Sequence, residues 1–202
     1  MNISNYFSKV SKDYSKRRVK GLFGYLVNII LVNKEKKIVM RKLNPKKNEL
    51  ILDAGCGSGL YSRIMLYSDA KPVGMDISYG MISQYNKNGM LGVMGNIESV
   101  PFKAKFDKVL CAGSLEFVND VNKAINSFNN ALKVGGMLVL LYPRLNIFGF
   151  LYFIYHKSHG LNIKLFSNKK ISKVIGNNGF RVVSINKASL LTKVLVARKY
   201  RN

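Results

Sequence analysis

A chain of 202 residues with 48% apolar side chains has room for one α/β domain and is far from the composition of a disordered segment. Its 33 Lys and Arg against 10 Asp and Glu give a formal charge of +23, a field that favours anionic partners. Cys56 and Cys111 sit in apolar or Gly-rich segments without metal-ligand spacing, which excludes a disulfide framework or a zinc module and suggests reduced thiols.

Residues 1–48 read as helical and basic, with apolar positions at Val10, Tyr14, Val19 and Leu22 and a greasier stretch over 23–32. The period is ragged, so two or three short helices packed as an N-terminal cap are expected, ending at Asn44-Pro45. No apolar run behind a basic start marks a signal peptide in residues 1–24, and a cytoplasmic location is expected.

From Glu49 onward, short apolar runs alternate with helical stretches. Leu50-Ile51-Leu52 is a first strand, a Gly-rich turn follows, and a helix covers about 59–67. A second strand at 72–75 leads to a helix at 79–87, a third strand falls at 91–94, and a fourth at 106–111 precedes a helix at 121–132. Gly135-Gly136 is a turn into a fifth strand at 137–142. Residues 143–166 form an irregular, aromatic-rich insertion, longer than the 12–15 residues of an ordinary connection. A helix at 168–177 stops at Asn178-Gly179, and strands at 180–186 and 191–198 pair antiparallel at the sheet edge. The alternation predicts a mostly parallel sheet with helices on both faces and every parallel strand ending on one side, where a ligand should sit.

The segment Ile51-Leu52-Asp53-Ala54-Gly55-Cys56-Gly57-Ser58-Gly59 places a carboxylate at a strand end beside three glycines that let the backbone turn and approach a ligand. An acid there suits a ligand with an ammonium group. No Lys-Ser/Thr follows the glycines, as a triphosphate-binding loop would require, and Leu60 stands where a dinucleotide fingerprint needs its third glycine. Asp76 ends the second strand, where a carboxylate can take both hydroxyls of a ribose.

The stretch Leu52–Gly59 followed by Asp76 resembles the first motif of the class I S-adenosylmethionine-dependent methyltransferases. The resemblance implies a Rossmann-like α/β fold with a mostly parallel seven-stranded sheet, and S-adenosylmethionine as cofactor. It implies that Asp53, Gly55, Cys56, Gly57 and Gly59 wrap the methionine portion and that Asp76 holds the ribose. Ile77 and Met81 would wall the adenine. Asn96 and Ile97 match the adenine-contacting position, although an amide stands where the family commonly has an aspartate. Ala112 and Ser114 match the segment lining the methyl-donor pocket, and Lys133-Val134-Gly135-Gly136 matches the turn into the fifth strand. The matches cover about 49–142, with a domain expected over 49–202 behind the cap at 1–48.

For the acceptor, the insertion 143–166 is the expected lid. Its two histidines, His156 and His159, and Tyr142 before it are the candidates for a proton-accepting or acceptor-lining role, against the alternative that they pack the lid. Glu116 could orient an acceptor or face solvent. No acid or thiol accompanies the histidines, so no metal is expected. Residues 145–155 carry three Phe and two Tyr and no charge, which suggests a small, lipophilic acceptor, with an acidic end as one option. All ten acids lie at or before Asp120, while 121–202 holds 14 Lys or Arg, so peripheral contact with an anionic membrane is a further option. The alternative is an RNA methyltransferase that holds the phosphate backbone on its basic surface. Against it, no basic segment shows regular aromatic interleaving, and the adenine-methylating Asn/Asp-Pro-Pro-Tyr/Phe signature is missing after the fourth strand.

Overall fold

The computed structural model describes residues 3–11 and 22–200; Tyr14 and Val19 lie outside the described residues, as do the side chains of Val10 and of 22–32. Helix α1 covers Ile3–Val10 and helix α2 covers Leu22–Leu43. Two helices are described before Asn44, and the second, at 22 residues, is longer than the short helices expected. Its C-terminal half docks through Val39 and Leu43, one turn apart and both buried against the sheet.

The core alternates as β1 (Leu50–Ala54), α3 (Leu60–Leu66), β2 (Lys71–Asp76), α4 (Tyr79–Lys87), β3 (Leu91–Met94), β4 (Phe106–Ala112), α5 (Val121–Ala131) and β5 (Leu132–Pro143). Helices α6 (Ile147–Ser158) and α7 (Asn168–Asn177) follow, then β6 (Phe180–Lys187) and β7 (Thr192–Lys199). The seven strands lie in the order β3-β2-β1-β4-β5-β7-β6. Strands β1 to β5 are parallel; β7 runs antiparallel to both β5 and β6. The α/β sheet, its parallel majority and its antiparallel edge pair are those expected from the sequence.

Two-residue periodicity divides the strands between two cores. Leu52, Val109, Leu138 and Leu140 face α5 and α7, while Ile51, Leu110, Val139 and Leu141 face α2 and α3. A sheet buried on both faces needs continuous apolar strands, which is how these segments read. Helix starts follow capping chemistry: the side chains of Ser78, Asp120, Asn146 and Ser167 accept from the first-turn amides of α4, α5, α6 and α7.

Two segments differ from expectation. The turn at Gly135-Gly136 is absorbed into β5 as a bulge, since Phe106 pairs with Leu132 and Lys108 with Met137, while Gly135 takes φ +75°. The insertion expected to be irregular holds the 12-residue helix α6. Its apolar residues fall around the whole helix, so the polar contrast that reveals a helical period is absent.

Candidate active site

Because β1 to β4 run parallel, the residues that follow them converge on one edge, with the sheet order reversing between β1 and β4. The glycine loop is tied down first. The amides of Gly55 and Cys56 donate to the Met75 carbonyl at 2.7 and 3.1 Å, and the Gly57 amide donates to Asp76 Oδ2 at 2.9 Å. Ser78 N donates to Asp76 Oδ1 at 2.9 Å, so both carboxylate oxygens of Asp76 are oriented by backbone amides. Asp76 is therefore an organising residue of the loop as well as a ligand candidate.

Gly55 has φ +74°, and a Cβ there would stand 2.1 Å from Ser114 Oγ, which itself donates to the Gly55 carbonyl at 3.1 Å. Loop and β4 terminus thus meet at a contact that only glycine permits. Gly57 and Gly113, also at positive φ, have nothing within 4 Å of where a Cβ would stand. Open space therefore borders the loop and the end of β4, beside the acids of β1 and β2.

Asp53 is buried, 2% exposed, and accepts a 2.6 Å hydrogen bond from Ser62 Oγ. Burial, opposed by the Ser62 bond and reinforced by the charge of Asp76, pushes its carboxyl up to about 6. Burial also raises Asp76. Two acids held above their ordinary range at one strand edge make a site that gains from a cationic ligand.

Of the remaining candidates, Ile77 lies exposed beside Asp76, an apolar surface suited to a flat ring. Asn96 is exposed and uses its side-chain oxygen to cap the turn at Ile97–Ser99, accepting from Glu98 N at 2.9 Å. Ala112 is partly exposed at the end of β4. Met81 and Ile97 are buried and offer the site almost no surface. Cys56 turns its thiol inward, against Ile82, Tyr85 and Met90, and burial pushes the thiol up; its backbone alone belongs to the loop. Gly59, φ +91°, opens α3, and a Cβ there would meet Met90 Cε at 2.2 Å.

Helix α1 adds residues that sequence reasoning did not single out. Ser4 Oγ donates to the Ile77 carbonyl at 2.9 Å, and Ser8 Oγ and Ser78 Oγ share a 2.9 Å bond. Phe7 packs edge-on against Phe117 with ring centroids 5.3 Å apart. One face of α1 therefore spans from the end of β2 to the segment beyond β4. The small polar spacing Ser4, Ser8, Ser11 was the available signal, but short polar residues on an N-terminal helix ordinarily face solvent.

The acceptor-side candidates separate. Tyr142 is fully buried and its hydroxyl has no partner among the described residues; burial pushes it up to about 12. His156 is buried within the rings of Phe117, Tyr152 and Tyr155, its Nδ1 is unpartnered, and burial followed by the charge of His159 depresses it to about 4. His159 is exposed at the C-terminus of α6, its Nδ1 2.8 Å from the Tyr155 carbonyl, so the two histidines do not converge. Glu116 proves more prominent than its sequence context indicated: 2% exposed, Oε2 unpartnered, and raised to about 8 chiefly by burial. No group of His, Cys, Asp and Glu among the described residues could hold a metal.

These three groups hang on one segment. Leu161 N donates to the His156 carbonyl at 3.0 Å and Lys164 N to the Glu116 carbonyl at 2.8 Å. The Phe166 ring lies 5.8 Å from that of Tyr142. By contrast, a groove of about 550 Å³ lined by Arg41, Lys42, Lys46, Lys108, Lys133 and Arg198 lies at the opposite edge, where β1, β4 and β5 begin. Glu49 and Asp107 neutralise two of those lysines at 2.6 and 2.7 Å. A polyanion held there would lie across the sheet from the glycine loop.

Comparison with known proteins agrees with this geometry. Residues 52–140 match the family described as methyltransferase domain. An uncharacterised protein of Methanocaldococcus jannaschii is 29% identical, covering 96% of this chain and 86% of its own. Demethylmenaquinone methyltransferase of Staphylococcus aureus is 28% identical over 77% of this chain and 67% of its own. Against three malonyl-[acyl-carrier protein] O-methyltransferases the chain spans only between 37% and 52% of their length. Among solved structures, magnesium protoporphyrin IX methyltransferase of Synechocystis with bound S-adenosylhomocysteine superposes with a TM-score of 0.77 at 17% identity, covering 98% of each chain. The chain has the fold of the class I S-adenosylmethionine-dependent methyltransferases, and its residues 52–140 match the methyltransferase domain.

Proposed function

We propose that this chain is an S-adenosylmethionine-dependent methyltransferase acting on a small, lipophilic acceptor with a hydroxyl-bearing or acidic end. The carrying observation is the trio of buried, unpartnered polar atoms, Glu116 Oε2 after β4, Tyr142 OH at the end of β5 and His156 Nδ1 on α6, each tied to the segment 161–166. Leaving a buried polar group unpaired costs about 1–3 kcal/mol, so an acceptor that pairs with them recovers that cost on binding. Aromatic rings beside a few buried polar groups suit a largely apolar molecule. Demethylmenaquinone and magnesium protoporphyrin IX, the acceptors named for two of the similar proteins, share that character.

S-adenosylmethionine supplies an already activated methyl group, so alignment of the acceptor accounts for most of the rate gain. In this reading Asp76 holds the donor's ribose hydroxyls, and Asp53, buried behind the loop, acts on the donor's ammonium through its charge. Ile77, exposed, lies against the adenine, and Asn96 accepts from its amine. His156, held neutral by burial, accepts a hydrogen bond from the acceptor's hydroxyl at Nδ1, while Glu116, protonated at neutral pH, donates one to the acceptor's acidic end. Tyr142 pairs with the acceptor's polar end. Residues 143–166 form the lid that excludes water, and residues 1–48 form the cap behind which the domain 49–202 lies. A lipophilic acceptor of this kind is drawn from a bilayer, so peripheral membrane contact belongs to the same reading.

The test combines donor binding with acceptor capture. Calorimetry should show micromolar binding of S-adenosylhomocysteine, weakened at least tenfold in Asp76→Ala. Replacing 145–155 by a short Gly/Ser loop should leave that affinity within about threefold and remove turnover. Incubated with labelled donor, a cell extract should carry the label in its organic-soluble fraction. Label confined to RNA would overturn the small-acceptor reading, and donor binding without any transfer would overturn catalysis.

A further inference from the structure

We infer that the outward face of α6 is a docking surface for an anionic bilayer, which sets the mouth of the acceptor site at the lipid headgroups. The inference rests on the lipophilic-acceptor reading above. Helix α6 is inverted relative to an ordinary surface helix. Gly149 and His156 face inward and are buried, whereas Ile147, Leu151 and Ile154, at helical i, i+4 and i+7 spacing, point outward. Ile147 is 67% exposed and Leu151 56%, and Phe148, Phe150 and Tyr155 flank this stripe, also exposed. Leu145 and Leu190 extend the patch, joined by the Asn146 side-chain amide donating to the Leu190 carbonyl at 3.0 Å. Eight large apolar residues exposed together exceed the scattered apolar surface of a monomer and require a cover.

Charge around the patch selects the cover. Arg144 precedes α6 and Lys157 lies exposed in its last turn. Lys187 and Lys193 are register partners at the end of the β6–β7 pair whose connection carries Leu190. No Asp or Glu occurs after Asp120. Glu35, the acid brought to this end of β7, accepts from the Thr192 hydroxyl. Apolar side chains ringed by cations match the boundary between acyl chains and anionic headgroups. Among the described residues no helix is long and apolar enough to cross a membrane, so α6 lies in the interface rather than through it. The patch is contiguous with the acceptor side, because the same helix presents His156 inward while Leu151 and Ile154 face out.

Flotation of the full chain with vesicles tests this. Wild type should float with phosphatidylcholine vesicles containing phosphatidylglycerol and remain behind with phosphatidylcholine alone, and capture should fall at high salt. The double variant Leu151→Asp/Ile154→Asp should lose at least tenfold in partitioning while binding S-adenosylhomocysteine within threefold of wild type, which shows that it folds. Since the chain has no Trp, Phe150→Trp provides a single reporter whose emission should shift blue on anionic vesicles alone. Equal flotation of wild type and double variant, or no flotation of wild type, overturns the surface. So does a dimer in sedimentation that the double variant abolishes, which would make a second copy the cover. Loss of vesicle binding with S-adenosylhomocysteine affinity intact separates this surface from the donor site, and the catalytic reading fails only if transfer by the wild type is itself absent.

Discussion

Replacing Asp53 by Asn should stabilise the ligand-free protein at neutral pH while weakening its hold on the donor. Asp53 is buried and its carboxyl is raised from 3.8 to about 6, chiefly by burial. Between those two values the folded chain retains the Asp53 proton more tightly than the unfolded chain does. Its contribution to stability is therefore complete below about pH 4 and is lost as pH rises through about 6. Two units at 1.36 kcal/mol each place the loss at about 3 kcal/mol. Asn carries no charge to desolvate, but it turns the 2.6 Å charge-assisted bond from Ser62 into a neutral one, a cost of about 1 kcal/mol. The net gain at pH 7.5 is then about 2 kcal/mol, or about 4–8 °C in melting temperature for a chain of this size. At pH 4 the two proteins should melt within a degree or two of each other. Donor affinity should fall at least tenfold, because the amide no longer offers a negative charge to the donor's ammonium. Thermal melts at both pH values, with and without S-adenosylhomocysteine, read all of this. The reasoning is refuted if the variant melts below wild type by the same amount at both pH values, or binds the donor product equally well.

Gly55→Ala should lower the melting temperature by about 6–12 °C, since a left-handed backbone and a Cβ 2.1 Å from Ser114 Oγ together cost about 3 kcal/mol; Gly57→Ala, strained but facing open space, should cost about 1 kcal/mol while still blocking the donor. Calorimetry and melting of the two variants together check the contrast, and equal melting points would contradict it. Glu116→Gln should flatten the pH dependence of stability above neutrality. The wild-type carboxyl, raised from 4.5 to about 8, contributes stability that is complete below about pH 4.5 and lost as pH climbs through 8, whereas the amide does not titrate. Parallel stability curves for the two proteins between pH 5 and pH 9 would count against a buried, neutral Glu116.

The donor half of the protein was legible in the sequence because its chemistry is local. A carboxylate at a strand end, glycines where the backbone must take positive φ, and Ser, Asp or Asn at helix starts act within a few residues of themselves. The alternation of apolar strands with helices then fixes which edge collects the strand ends. What the sequence could not reveal depends on contacts between distant segments. Met81 and Ile97 follow strand ends yet lie buried, because α4 and the turn after β3 press them into the core. Two histidines three residues apart differ in burial, since α6 packs His156 against Phe117 and leaves His159 exposed to cap its own helix. Glu116 looked like a loop acid until 161–166 and α2 closed around it. Helix α6 itself was hidden, because a helix whose apolar side faces outward carries no polar stripe to reveal its period. Local backbone chemistry determined where the glycine loop must lie; burial, which only the packed chain decides, selected the polar groups left without a partner.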